Sequence, residues 1–87
     1  MERFAERYGT VLLPTVYENY CADIRLFLKT GVVGATTFKP RVLAVEKGEV
    51  TQYVIALMDG GRKIYCSFED MRDCITTFLP PASFEKS

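Results

Sequence analysis

The three cysteines are the strongest nucleophiles in this chain of 87 residues, and the sequence offers them no obvious base. Cys21, Cys66 and Cys74 are separated by long, unpatterned intervals, and the chain has no histidine. A catalytic thiol needs a neighbouring base, usually histidine, to become the reactive thiolate. Zinc sites and disulfide frameworks show closer or more regular cysteine spacings. We therefore expect three reduced, shielded thiols, with no metal, no cofactor and no enzymatic activity.

Carboxylates are the other side chains that could move a proton, and three of them lie close together in the sequence. Glu69, Asp70 and Asp73 follow Ser67, a residue type that caps helices, so we place them in the first turns of a predicted helix. Acidic side chains at that end of a helix stabilise its dipole. An acid–base pair requires a cleft and a partner, and the sequence indicates neither. We name no catalytic residue.

Two patterns could contact nucleic acid. Gly31-Val32-Val33-Gly34 matches the GxxG loop that clamps nucleotide backbones, but its apolar centre favours a simple helix stop. Lys39, Arg41, Arg62 and Lys63 could cluster near one edge of a sheet, with a tyrosine available for stacking on bases. The chain has eleven Lys and Arg residues against eleven Asp and Glu residues, which argues against non-specific DNA binding. Nucleic-acid binding is therefore the alternative hypothesis.

Length and composition favour one domain over residues 1–87, with residues 82–87 as a loose tail. Apolar residues make up 48% of the chain and aromatic residues 13%, which argues against disorder. The first residues are too charged for a signal peptide, and no apolar run approaches the length of a membrane span. We therefore expect a cytoplasmic protein with no membrane contact and no small-molecule ligand.

Apolar spacing predicts helices on both sides of a set of strands. Pro14 suits a helix start and Gly31 a helix stop, and apolar residues between them recur every three or four positions. A second apolar stripe follows Ser67 and ends at Pro80. The expected elements are a possible short N-terminal helix over 2–8, a helix over 15–29, strands over 41–46, 50–58 and 62–67, and a helix over 68–79. The expected fold class is α+β, a three-stranded antiparallel β-meander packed against two amphipathic helices.

The Gly60-Gly61 turn predicts which residues share each face of this sheet. A two-residue hairpin turn at these glycines places Asp59 opposite Arg62 and fixes the register of both strands. The predicted core face carries Tyr53, Ile55, Leu57, Ile64, Cys66 and Phe68. The opposite face, which we call the second face, carries Val54, Ala56, Met58, Lys63, Tyr65 and Ser67, with Val42 or Leu43 from the first strand.

The second face is apolar enough to need a cover, and two covers are compatible with the sequence. The run from Val54 to Met58 has no polar residue, which is typical of a strand buried on both sides. Residues 2–8 could cover the face, and no function would follow. Otherwise the face docks against a second copy or another protein, because large exposed apolar patches are unusual on monomers.

These observations favour a non-enzymatic protein-binding module that acts as an adaptor, regulator or inhibitor of a larger protein machine. Small size and the lack of catalytic motifs suggest a viral or mobile-element antagonist of a host defence enzyme as one form. The alternatives are a nucleic-acid-associated protein and a homo-oligomeric structural subunit, and a homodimer is compatible with the first hypothesis. The protein-interface candidates are Val54, Ala56, Met58, Lys63, Tyr65 and Leu26, the last on the polar side of helix 15–29. The nucleic-acid candidates are Lys39, Arg41, Arg62 and Lys63.

Overall fold

The computed structural model describes residues 12–80, in which one helix packs against one face of a four-stranded antiparallel sheet. The elements are α1 (Pro14–Thr30), a 3₁₀ turn (Val33–Ala35), β1 (Arg41–Lys47), β2 (Thr51–Asp59), β3 (Arg62–Glu69) and β4 (Cys74–Leu79). The strands are ordered β1-β2-β3-β4, so each pairs with its neighbour in the chain. The expected helix over 2–8 and tail over 82–87 lie outside the described residues.

Helix α1 confirms the helix predicted for residues 15–29 and extends it by one residue at each end. Pro14 occupies the first turn, where a missing N–H removes no intrahelical bond. Gly31 adopts the left-handed conformation, with φ of 73°, and its N–H donates to the Phe27 carbonyl at 2.7 Å. Among residues 12–80, no helix is long and apolar enough to cross a membrane.

The β2–β3 hairpin has the predicted register. Gly60 and Gly61 have φ angles of 59° and 85°, as a two-residue turn with positive φ at both positions requires. Asp59 therefore lies opposite Arg62, and the pairing continues along both strands to Gln52 and Glu69. The assignment of residues to the core face and the second face of these two strands is confirmed.

The helix predicted over 68–79 is wrong, and with it the three-stranded meander packed against two helices. Phe68 and Glu69 complete β3, the chain turns at residues 70–73, and β4 pairs antiparallel with β3. Met71, which belongs to the apolar stripe of the predicted helix, lies in the turn with 77% of its surface exposed. The fold is thus a four-stranded antiparallel sheet with one described helix.

Local backbone chemistry explains this turn. Asp73 adopts the left-handed conformation, with φ of 56°, which aspartate tolerates better than most residues. Its N–H donates to the Glu69 carbonyl at 2.8 Å. Ser67, interpreted above as a helix cap, lies inside β3 and donates to Oε1 of Gln52 at 3.2 Å. The β-branched residues that follow Cys74 favour a strand.

The apolar positions alone could not reveal the error, because they fit both structures. Phe68 and Ile75 are seven residues apart, which places them on one face of a helix. In the sheet they are direct cross-strand partners, because a bulge at this point of the ladder absorbs one residue of β4. Phe78 is buried opposite Cys66 in the same ladder. The burial of Phe68, Ile75 and Phe78 is the same in either fold.

The core lies between α1 and the core face of the sheet. The ring of Tyr20 meets that of Phe38 edge to face, with centroids 4.8 Å apart, and its hydroxyl donates to Oδ2 of Asp59 at 2.5 Å. Burial, together with this hydrogen bond, raises the pKa of Tyr20. At the other end of the sheet, Arg25 forms a salt bridge with Asp73 at 3.0 Å. The fully or almost fully buried apolar residues are Tyr20, Cys21, Ile24, Ile55, Leu57, Ile64, Cys66, Phe68, Ile75 and Phe78.

Ile24 of α1 and Ile55 of β2 both belong to this core, so truncation of either should be costly. We expect Ile24→Ala or Ile55→Ala to lower the free energy of unfolding by about 2–5 kcal/mol, because both side chains are completely buried. Met71→Ala is the matched control and should change stability by less than about 0.5 kcal/mol. Urea denaturation followed by circular dichroism measures all three. Equal stabilities for the isoleucine variants and the control would contradict this core.

Candidate functional site

A groove of about 170 Å³ lies on the second face, and it unites residues from both sets of sequence candidates. It spans the start of β1, the end of β2 and the start of β3. Its floor is apolar and three cationic side chains line it. We call it the basic groove, and its lining residues are Lys39, Arg41, Leu43, Ala56, Met58, Lys63 and Tyr65.

The pairing of β1 with β2 explains how Leu43 enters this groove. Val42 lies opposite Ile55 and Ala44 lies opposite Val54, so Leu43 is an extra residue in a β-bulge. Val42 therefore belongs to the core face, and Leu43 joins Ala56 and Met58 on the second face. The sequence left the choice between Val42 and Leu43 open, and the bulge decides it.

The second face is unevenly exposed. Met58 and Leu43 present 38% and 41% of their surfaces to solvent, whereas Tyr65 is only 4% exposed. Val54 and Ala56 are half-buried and Ser67 is buried. The accessible apolar surface is therefore the part around the basic groove rather than the whole face. Residues 2–8, the alternative cover for this face, lie outside the described range.

Three of the predicted site residues lie away from the groove. Val54 is nearer the start of β2, where it pairs with Ala44 on one side and Ser67 on the other. Arg62 is at the β2–β3 turn, opposite Asp59. Leu26 is exposed on α1, which covers the core face rather than the second face. The structure thus brings together Ala56, Met58, Lys63 and Tyr65 with Lys39 and Arg41, but not these three.

Asp23 of α1 positions the chain segment that leads to the groove. Its carboxylate accepts the N–H of Thr37 at 3.2 Å and the N–H of Phe38 at 2.5 Å. The carbonyl of Phe38 in turn accepts the N–H of Met58 at 2.7 Å. One buried carboxylate thereby ties α1 to the loop, and the loop to the strand that forms the groove floor.

Lys39, the next residue along, has a strained backbone. Its φ is 46°, in the left-handed region that residues with a side chain seldom adopt. Such strain costs on the order of 1–3 kcal/mol and persists only where the surroundings impose it. Here the residues before Lys39 are held by their hydrogen bonds to Asp23. Pro40, the residue after it, is fully buried. Lys39 and Arg41 are therefore held at the groove by a rigid connection.

Asp23 is not among the candidates from the sequence, because it lies outside the apolar stripe of the helix. At about 100° per residue, Asp23 lies only about 40° beyond Phe27 at the margin of the apolar stripe. A carboxylate at that margin, ahead of a loop with free N–H groups, is the one signal that could have identified it. Buried acidic groups need hydrogen-bond partners, and two backbone N–H groups supply them.

The thiols form a separate group under α1. The Tyr17 hydroxyl donates to the Ile75 carbonyl at 2.6 Å, and the Ile75 N–H donates to Sγ of Cys21 at 3.4 Å. Burial raises the pKa of the Cys21 thiol and, more strongly, that of the Cys66 thiol. Both are therefore protonated and weakly nucleophilic at neutral pH. Cys74 is half-buried rather than fully shielded.

A larger hollow of about 400 Å³ lies beside the β1–β2 turn. Glu46 and Glu49 line it together with Lys47, and the rest of its lining comes from the turn and the start of β2. Mixed charges give it no consistent preference for a ligand of either sign. The basic groove, with three cations and no acid among its lining residues, is the stronger candidate.

Comparisons of the chain with protein-family models, with curated proteins and with solved structures find no match.

Replacing Asp23 should loosen the loop and disturb the groove together. We expect Asp23→Ala to lower the free energy of unfolding by about 1–3 kcal/mol, because two N–H groups lose their charged acceptor. The amide NMR signals of Lys39 and Arg41 should shift in the same variant. Asp70→Ala, which removes an exposed carboxylate, is the control and should do neither. Unchanged stability in Asp23→Ala would refute the positioning role.

The three thiols should differ in reactivity. We expect a thiol reagent at pH 8 to label Cys74 first, and Cys21 and Cys66 at least about a hundredfold more slowly, because the reagent must wait for local opening. Raising the pH to about 9 should leave this order unchanged, because burial raises the pKa of the Cys66 thiol and keeps it protonated in the folded state. Mass spectrometry resolves the sites, and Cys74→Ala should abolish the fast phase. Equal, rapid labelling of all three would contradict the burial.

Proposed function

We propose that this chain is a non-enzymatic protein-binding module whose basic groove holds an acidic segment of a partner protein. The observation that carries the proposal is the groove itself, where exposed Met58 and Leu43 lie among Lys39, Arg41 and Lys63. The fitting occupant is a chain segment with carboxylates on both sides of one apolar side chain. The adaptor, regulator or inhibitor role expected from the sequence would operate through this contact.

Charge complementarity supports an acidic partner. The protein as a whole has no net charge, so three cations around one hollow are a local concentration rather than a general property. Like-charge contacts cost several kcal/mol at an interface, and opposite charges accelerate encounter and fix register. An acidic segment gains from all three cations, while an exposed methionine offers an adaptable surface for its apolar residue.

Burial favours a protein segment over a single-stranded nucleic acid. Nucleic-acid strands bind to such sheets by stacking bases on exposed aromatic rings. Tyr65 is the aromatic residue that lines the groove, and its 4% exposure leaves almost no ring face for a base. Tyr53 lies on the core face, packed against the core. The cations remain available for carboxylates, which need no stacking surface.

The state of the thiols supports a binding role rather than an enzymatic one. Burial keeps Cys21 and Cys66 protonated and out of reach of a substrate. We also propose a cytoplasmic location, because the three free cysteines in the described range fit a reducing compartment.

The test is an NMR titration with defined probes. We expect a short capped peptide of glutamates around a central leucine to shift the signals of Lys39, Leu43, Met58 and Lys63, and binding to weaken as salt is raised. The same peptide with glycine for leucine should bind more weakly. Lys63→Glu should lower the affinity for the leucine peptide about tenfold or more.

Lys47→Glu supplies the matched control, because it makes the same charge change at the far end of β1. It should leave the affinity for the peptide within about twofold. Oligothymidine is titrated in parallel. Stronger groove shifts with oligothymidine than with the acidic peptide would replace this proposal with nucleic-acid binding, and no shifts with either probe would remove the groove as a binding site.

A further inference from the structure

The strand β1 is the most exposed element of the described sheet. It lies at one end of the strand order, and six of its seven residues are exposed. Leu43 and Val45 present 41% and 45% of their surfaces to solvent. A long, apolar strand at a sheet edge offers unpaired backbone groups to another chain. Such an edge is a pairing site unless the sequence blocks it.

The bulge at Leu43 changes which residues of β1 share a face. Val42 and Val45 lie opposite Ile55 and Tyr53, so both belong to the core face although they are three residues apart. Arg41 and Glu46 lie opposite Ala56 and Gln52, so both belong to the second face although they are five apart. In a strand without the bulge, each pair would be split between opposite faces.

This arrangement makes β1 complementary to itself. A symmetric antiparallel pair of identical strands requires every two opposed residues to share a face, because the two-fold axis is perpendicular to the sheet. The register that opposes Arg41 to Glu46 of a second copy meets this condition. It also opposes Val42 to Val45 of the second copy. Each dimer would contain two such ion pairs and two such valine pairs.

The neighbouring register is excluded by the same geometry. In that register, shifted by one residue toward Lys47, Ala44 would lie opposite Ala44 of the second copy. Arg41 would lie opposite Lys47 of the second copy. Those two residues lie on different faces of the strand, and both are cations. The bulge therefore selects the register in which charges and apolar side chains match.

We infer that β1 pairs antiparallel with β1 of a second copy of this chain, which joins two four-stranded sheets into one continuous sheet. The interface is a backbone ladder with two Arg41–Glu46 pairs and two Val42–Val45 pairs. Both basic grooves then lie on the same side of the dimer, next to the junction. The inference does not rest on the proposed function, because it is argued from the outer edge of β1 without any occupant of the groove. Arg41 takes part in both surfaces, since it lines the groove and pairs across the junction.

A charge-swap experiment tests the register. Sedimentation equilibrium should show a concentration-dependent dimer for the unmodified chain. Arg41→Glu and Glu46→Arg should each weaken self-association about tenfold or more, because two attractive cross-strand pairs become repulsive. The double variant with both changes should recover the original affinity within about threefold. An equimolar mixture of the two single variants should form a heterodimer, since each copy supplies the charge that the other lacks.

Val45→Lys and Met71→Lys complete the design. Val45→Lys should abolish dimerisation, because lysine on an edge strand opposes pairing. Met71→Lys makes the same change at an exposed site outside the interface and should leave it unaffected. Circular dichroism checks that every variant keeps its fold. A monomeric unmodified chain at the highest concentration, or single variants that dimerise as well as the original, would overturn the inference.

Peptide binding separates this inference from the proposed function. Glu46 does not line the basic groove, so Glu46→Arg should lose the dimer and still bind the acidic peptide. If the dimer is lost and binding persists, both conclusions hold. If peptide binding is missing in the unmodified chain while the charge-swap pattern holds, only the proposed function fails.

Discussion

The hydrogen bonds of Asp23 are the constraint on which the arrangement of the sheet and the groove depends. A carboxylate buried in a helix is unfavourable unless backbone donors satisfy it, and Thr37 and Phe38 provide those donors at 3.2 and 2.5 Å. Because Phe38 also accepts a bond from Met58, the helix, the loop and β2 are fixed relative to one another. The two residues between Phe38 and the start of β1 must then connect two fixed elements. In this short segment Lys39 adopts the left-handed conformation and Pro40 is fully buried.

The parts of the fold that the sequence predicts correctly are those that local chemistry determines. Helix α1 begins at a proline and is followed by a glycine that ends it. Two glycines with positive φ determine the β2–β3 register. The helix predicted over 68–79 is wrong because the apolar spacing of these residues fits a helix and a bulged hairpin equally. Residues 74–79 form a strand because they pair with β3. This pairing is a tertiary interaction, and apolar periodicity does not reveal it.

The candidate site could be predicted in part for the same reason. Once the hairpin register was known, Ala56, Met58, Lys63 and Tyr65 had to share a face. Their meeting with Lys39 and Arg41 required the pairing of β1, and the contribution of Leu43 required its bulge. The burial of Tyr65 was not predictable from alternation, since alternation assigns a residue to a face but does not say how much of that face is covered. Helical periodicity places Asp23 at the margin of the apolar stripe but does not show that its partners are the N–H groups of Thr37 and Phe38 in the following loop.

The bulge in β1 links the groove to the strand edge. Bulges commonly protect edge strands, since they disturb the ladder and increase the local twist. In this chain the extra residue has a second effect, because it returns Arg41 to the face of Glu46 and Val42 to the face of Val45. It also turns Leu43 toward Met58 in the groove. One inserted residue thus supplies an apolar side chain to the groove and makes the neighbouring edge self-complementary, so the two surfaces must change together if Leu43 is deleted.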